Sequence, residues 1–194
     1  IEKMLDEFRE KYEVIAGFYE KDSTFRSRTQ GVLKVPTDVA KAAGIVGPNA
    51  RASGWKFDVR LSRYFAYEDV HFKPVVLEDG DIYARTMVRV KEVFESIRMA
   101  QEGLSLLKEG EPIAVKSPRN TPEGREAVFR TEAPRGELFY YVRGSGKPNP
   151  ARMKVRTPTL ATLRAAPVVL PGQEYQDVPA FVISIDPCIC CTER

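Results

Sequence analysis

The sequence predicts an α+β chain, mainly helical, with long core helices followed by a small antiparallel β region near the C-terminus. Three observations predict it: apolar residues at spacings of three and four over residues 1–21, the same period over 81–107, and a change beyond Ile113 to short apolar runs punctuated by Pro and Gly. With 194 residues and 43% hydrophobic side chains the chain is long enough to bury a core. It reads as a single unit over 1–194, with no internal repeat and no domain boundary.

In the first helix, Met4, Leu5, Phe8, Tyr12, Ile15 and Tyr19 form the apolar stripe and charges fill the other face. Phe25 to Gly31 is a polar segment, and Val32 to Val35 is strand-like. Thr37 suits the N-cap of a helix that runs to Ala43 and stops at Gly44. Gly44 to Asn49 and Ser53-Gly54 read as loops. Residues 55–78 mix aromatics with charge and fit loop and short helix equally. Asp81 to Leu107 is a long core helix carrying Val90, Val93, Ile97, Ala100 and Leu104 on one face, ended by Gly110. Leu138 to Arg143 and Met153 to Arg156 are two strands of a hairpin around the turn Gly144 to Pro150. Phe181 to Ile185 is a short apolar piece delivering the tail.

Composition excludes several function classes. Lys and Arg number 30 against 27 Asp and Glu, and the net charge of +3 is spread thinly, so no nucleic acid partner is expected. The longest uncharged apolar runs, such as Ala165 to Gly172, fall far short of the ~20 residues of a membrane-spanning helix. The chain opens on Ile1 rather than Met, which suggests a processed end or an internal start.

All three cysteines lie in the tail Asp186-Pro187-Cys188-Ile189-Cys190-Cys191-Thr192-Glu193-Arg194. They close only tiny loops, so a stabilising disulfide framework is excluded. Cys188 and Cys191 have the C-x-x-C spacing that turns two thiolates onto one metal. Two ligands do not complete a tetrahedral site, and His71 is the one histidine of the chain. The spacing points to half of a metal site whose other half lies elsewhere. A thioredoxin-like pair fits poorly, because so few residues follow to form the helix that activates such a thiol. Cys190, between the two ligands, suits a small buried hydrophobe. His71, among aromatic and charged neighbours, suits a satisfied structural histidine.

The ending Asp186-Pro187-Cys188-x-x-Cys191-x-x-Arg194 resembles the C-terminal ligand motif of the large subunit of nickel–iron hydrogenases. In that family the last position is His in the soluble enzymes and Arg in the membrane-bound, energy-converting group related to complex I. Glu132-Ala133-Pro134-Arg135-Gly136 resembles the loop over that active site. Arg28-Thr29-Gln30-Gly31, Gly47-Pro48 and Arg152 to Pro158 are similar to stretches of the complex I 49 kDa subunit. The resemblance implies the C-terminal half of the large-subunit fold, and a chain ending at Arg194 implies the mature form left after proteolytic trimming.

The implied cofactor is a nickel–iron centre with cyanide and carbon monoxide on the iron. Soft thiolates suit both metals. Cys188 is implied as a terminal nickel ligand and the proton relay, and Cys191 as the bridge to iron. Arg135 is implied to bind the metal-coordinated cyanide, since a guanidinium stays charged and presents a rigid donor fork. Asp186 either orients Arg135 or forms an Asx turn before Pro187. Pro134 stiffens the loop. Glu132 is expected to be solvated. Arg194 stands where soluble members place a metal-binding histidine and cannot ligate magnesium, which removes that ligand from the family's extra metal site.

The family takes two further cysteines from an N-terminal C-x-x-C that this sequence lacks. A companion polypeptide carrying that half is therefore expected. The resemblance also implies a small subunit with [4Fe-4S] clusters, ferredoxin as electron donor, membrane subunits that translocate ions, and a peripheral place on the cytoplasmic face of the membrane. Two other readings stand beside a hydrogenase: a complex I-like electron-transfer subunit without hydrogenase chemistry, and an unrelated thiol-based metal-binding module.

Overall fold

The computed structural model describes residues 1–108, 110, 112, 114 and 116–193. About half of the chain is helical and the described strands form one small antiparallel sheet, as the sequence predicts.

Helix α1 (Glu2–Lys21) lies along the chain's longest helix, and Ala16 meets Met87 and Val90 there with Tyr12, Tyr19 and Phe94 around them. Asp22 ends α1 and caps α2 (Ser23–Thr29) by accepting from the Phe25 N–H. That cap makes a helix of a segment whose polarity suggested none. Val32 to Val35 is not a strand: Val35 N–H donates to Gly80 O at 2.9 Å and Ile82 N–H to Val32 O at 3.2 Å, so it pairs with a loop.

Helix α3 (Thr37–Ala43) ends at Gly44, which takes the left-handed conformation at φ 67°. Thr37 does not cap it. Pro36 occupies the cap position, and the Thr37 hydroxyl donates to Ser53 O instead. The expected loop after Gly44 contains α4 (Gly47–Ala52), all six residues of which are buried. A helix buried on every side shows no amphipathic period, hence the misreading. Residues 55–78 contain two 3-10 turns, Val59–Ser62 and Phe65–Glu68.

Helix α5 (Ile82–Ser105) is the expected long helix. Asp81 caps it, with Oδ1 accepting from Ala84 N–H and Oδ2 from Gly31 N–H, both at 2.7 Å. It stops at Ser105, short of Gly110. The sheet holds β1 (Glu126–Ala133), β2 (Gly136–Arg143) and β3 (Arg152–Arg156) in that order, all antiparallel. The hairpin of β2 and β3 matches expectation. Strand β1 was missed because it is mostly exposed and carries charge instead of an apolar alternation.

Four short helices follow: α6 (Pro158–Leu163), α7 (Ala166–Val169), α8 (Val178–Ile185) and α9 (Ile189–Thr192). The apolar piece ahead of the tail is therefore α8. Phe181 and Ile185 of α8 join Leu33, Val35, Ala40, Ile45, Ala50, Ile82, Ala165 and Val169 in the main core. Burying a side chain the size of Phe181 or Ile185 contributes about 1.5–3 kcal/mol, which anchors the helix from which the tail departs.

Candidate metal centre

The tail leaves α8 through Asp186, a left-handed residue at φ 51° and ψ 62°. Asp tolerates this conformation better than most residues, and it turns the chain sharply back toward the sheet. The carbonyls at the end of α8 are met by cations and an amide. Arg89 Nη1 donates to Ser184 O at 2.8 Å, Asn49 Nδ2 donates to Ile185 O at 3.3 Å, and Arg89 Nη2 joins the two by donating to Asn49 Oδ1 at 3.0 Å. Arg85 Nε donates to Ser184 Oγ at 2.9 Å. Burial pulls both arginines down to about 10, which leaves them charged at neutral pH, favourably placed at a helix C-terminus.

Pro134 and Arg135 are the two-residue turn between β1 and β2, where Ala133 pairs with Gly136. The start of α4 covers this turn closely. A Cβ on Gly47 would lie 2.4 Å from Arg135 O and from Gly136 Cα, and Gly47 itself sits at φ 67°. Only a glycine permits this approach. The turn aims Arg135 at Asp186: Nε donates to the backbone carbonyl at 2.7 Å and Nη2 to Oδ1 at 3.0 Å. Of the two roles weighed for Asp186, the contact with Arg135 is the one the structure makes.

Two threonines hold the cysteine turn. Cys188 N–H donates to Thr159 Oγ1 at 3.2 Å, and Thr157 Oγ1 donates to Cys191 O at 2.6 Å. Cys191 N–H donates to Cys188 O at 3.0 Å, closing one turn of α9. Cys188 and Cys191 are both half-buried. The backbone N–H and then the thiol of Cys191, with the Arg135 guanidinium further down, draw the Cys188 thiol below its ordinary range. Burial and then Cys188 push Cys191 up. The structure thus brings Pro134, Arg135, Asp186, Cys188 and Cys191 to one place.

Two expectations need correction. Cys190 is exposed, because the short helix turns it away from the protein. Glu132 is not solvated: its side chain is 3% exposed and pairs with the buried Arg51 at 2.9 Å. Its neighbours in β1 gave no sign of this, since α4, which supplies Arg51, had read as loop. His71 is strongly exposed and is satisfied as expected, its Nδ1 bonding Glu102. Arg194, considered for the magnesium site, lies outside the described residues.

The supporting residues Asn49, Thr157, Thr159 and Arg89 were also missed. Arg85 and Arg89, four apart on the apolar face of α5, were the signal available for the last of these. Among the described residues no group of three or more His, Cys, Asp or Glu side chains converges to hold a metal ion. The chain supplies a pair of thiols.

The chain belongs to the family of the respiratory-chain NADH dehydrogenase 49 kDa subunit, whose model matches residues 1–126 and 113–194. It is 39% identical over 181 residues to the carbon monoxide-induced hydrogenase of Rhodospirillum rubrum, covering 93% of this chain and 50% of that protein. It is 38% identical over 207 residues to the membrane-bound hydrogenase subunit alpha of Pyrococcus furiosus, covering 98% and 48%. NADH-quinone oxidoreductase D subunits are also among its relatives.

The fold matches a chain in the structure of a membrane-bound sulfane sulfur reductase, an archaeal respiratory membrane complex, with a TM-score of 0.83 and 28% identity over 99% of this chain and 56% of that one. The chain spans about half the length of the curated relatives it matches. The resemblance seen in the sequence is borne out at the level of the family. No helix of the described residues is long and apolar enough to cross a membrane.

Proposed function

We propose that this chain is the part of a membrane-associated nickel–iron hydrogenase that carries the tail thiolates of the metal centre. The observation that carries the reading is the Arg135–Asp186 pair fixed two residues before Cys188, with Cys191 within hydrogen-bonding reach of Cys188. The donor set fits the group. Two soft thiols side by side suit nickel and iron, and a guanidinium beside them suits an anionic ligand on the metal.

Cys188 and Cys191 would hold the centre, with two further thiolates from a companion segment bearing the N-terminal C-x-x-C. When bound, such a centre supplies the redox chemistry that interconverts protons and dihydrogen. Arg135 spends Nε and Nη2 on Asp186, which leaves Nη1 without a partner among the described residues and available to a bound cyanide. Pro134 limits the turn's motion, so the guanidinium is preorganised. Cys188 Sγ takes or returns the proton. Thr157 and Thr159 keep the backbone of the tail from swinging into solvent.

Electrons would come from reduced ferredoxin through [4Fe-4S] clusters in a small subunit, at the cytoplasmic face of the membrane, with ions moved by other subunits. A second reading, an electron-transfer subunit of the complex I type, is favoured by the family match and disfavoured by the intact, pinned cysteine pair. Metal analysis of the assembled complex separates the readings. Nickel, with iron beyond that of the [4Fe-4S] clusters and dihydrogen evolution from reduced ferredoxin, supports the hydrogenase. Neither metal in this subunit supports the second reading, and zinc alone supports a thiol-based metal module.

A further inference from the structure

Helix α1 carries two apolar faces, one packed on α5 and one open to solvent. On the first, Tyr12, Ala16 and Tyr19 meet Met87, Val90 and Phe94. On the second, Met4, Phe8, Ile15 and Phe18 are between 49% and 71% exposed, and Ile1, just ahead of the helix, continues their line. Their spacings of three, four and seven repeat every seven residues, with Lys11 alone interrupting. That period keeps one side of a helix against a second helix over several turns. A long aliphatic stem such as that of Lys11 lies along such a seam with its charge outside.

The open stripe borders a mostly apolar groove of about 560 Å³. Ile15 and Tyr19 of α1 form one wall, Ala180 and Ile183 of α8 the other, and Val90 and Val93 of α5 the floor. One end reaches Asp186, two residues before Cys188. A small molecule in the groove would leave most of the stripe uncovered, because Met4 and Phe18 are about 21 Å apart along the helix. A second helix laid on α1 covers both. A lipid surface fits poorly: α1 holds six acidic residues against four basic ones, whereas helices that lie in a membrane surface are rich in Lys and Arg. A second copy of this chain fits poorly too. The positions flanking the stripe toward α5 are Leu5, Tyr12 and Tyr19, none of which forms the ion pairs that set one copy against another.

We propose that the groove and the open stripe of α1 receive an apolar-faced α-helix from the companion half, the portion of the family's length that this chain does not span. The chain covers about half of the relatives it matches, so the occupant comes from a body of comparable size. The helix lies along α1 at the shallow crossing of about 20° that a seven-residue repeat favours. It sets large apolar side chains into the groove over Val90 and Val93, and one end of it lies beside Asp186. That is where the companion's thiolates are needed, next to Cys188 and Cys191. The docking rests on the open surface and the unspanned length, whereas the delivery of the other C-x-x-C to this place rests on the hydrogenase reading.

The test uses the assembled complex with photoreactive p-benzoylphenylalanine in place of Phe8, Phe18 or Ile183, and of the exposed Glu20 on the opposite side of α1 as control. Mass spectrometry maps the crosslinks. Phe8 and Phe18 should crosslink to one segment of the companion half at sites about ten residues apart, because two packed helices rise together. Ile183 should reach the same segment, and Glu20 should not. Crosslinks from Phe8 and Ile183 to lipid, to a second copy of this chain or to another subunit overturn the proposal, as does the absence of any crosslink to protein from either. Phe18→Asp combined with Ile183→Asp changes two exposed positions outside this chain's own core and should weaken retention of the companion about tenfold or more. Undiminished retention also overturns the proposal. Metal analysis keeps the two readings apart. The expected crosslinks in a complex without nickel leave the docking standing and remove the hydrogenase reading, whereas a nickel–iron centre with crosslinks elsewhere removes the docking alone.

Discussion

Replacing Gly47 by Ala tests whether the Arg135 turn must sit where α4 holds it. The new Cβ would lie 2.4 Å from Arg135 O and Gly136 Cα, against an ordinary contact distance of at least 3.4 Å, so the turn must retreat by about 1 Å. Alanine at φ 67° adds about 1–2 kcal/mol of backbone strain. A retreat of that size stretches the 2.7 and 3.0 Å bonds from Arg135 to Asp186 beyond hydrogen-bonding range. A misplacement of about 1 Å at a preorganised group costs on the order of 100-fold in rate. The variant should therefore assemble with its metals, melt somewhat earlier, and turn over dihydrogen roughly 100-fold more slowly. Turnover within about twofold of the unaltered complex, at normal metal content, would refute the claim that α4 positions Arg135 for catalysis.

Cys188→Ser should abolish turnover, because a serine hydroxyl neither matches the softness of a thiolate nor ionises at working pH; measurable activity at full metal content would remove Cys188 from its role. Arg135→Lys should leave nickel and iron bound yet slow turnover strongly, since lysine lacks the planar fork that reaches the backbone carbonyl and Oδ1 of Asp186 together; unchanged turnover would exclude Arg135. Burial raises Glu132 in the folded chain, so the stability it contributes is complete below its unfolded pKa of about 4.3 and is lost as pH rises through its higher folded value. Thermal melting of the complex should show this fall with rising pH, and Glu132→Gln should flatten it; an unchanged slope would contradict the sign. Arg51→Met should destabilise by about 3–5 kcal/mol, because Glu132 remains buried without its partner and Asp58 keeps Arg60 alone, and equilibrium denaturation measures it.

What the sequence disclosed followed from periodicity. The stripes of α1 and α5 were legible because each faces a core on one side and water on the other, and the hairpin of β2 and β3 because a Gly- and Pro-containing turn separates two strand-like runs. Helix α4 was hidden by its complete burial, and β1 by its exposure. The site divided the same way. Spacing and residue chemistry singled out Cys188, Cys191, Arg135, Asp186 and Pro134, whereas the groups behind them depend on tertiary contact. Arg51 reaches Glu132 across 81 positions of chain and Asn49 reaches Ile185 across 136, distances over which no local pattern speaks. Thr159 was visible only as part of a Thr-Pro-Thr run, with nothing local to tie its hydroxyl to Cys188.

Infrared spectroscopy of the purified complex tests the central claim most directly. If Cys188 and Cys191 complete a nickel–iron centre with thiolates from the companion half, sharp cyanide and carbon monoxide bands on iron are present, and Arg135→Lys shifts the cyanide bands while leaving them intact. A spectrum without those bands, from a complex that contains both halves, contradicts the assignment of the tail thiols to such a centre.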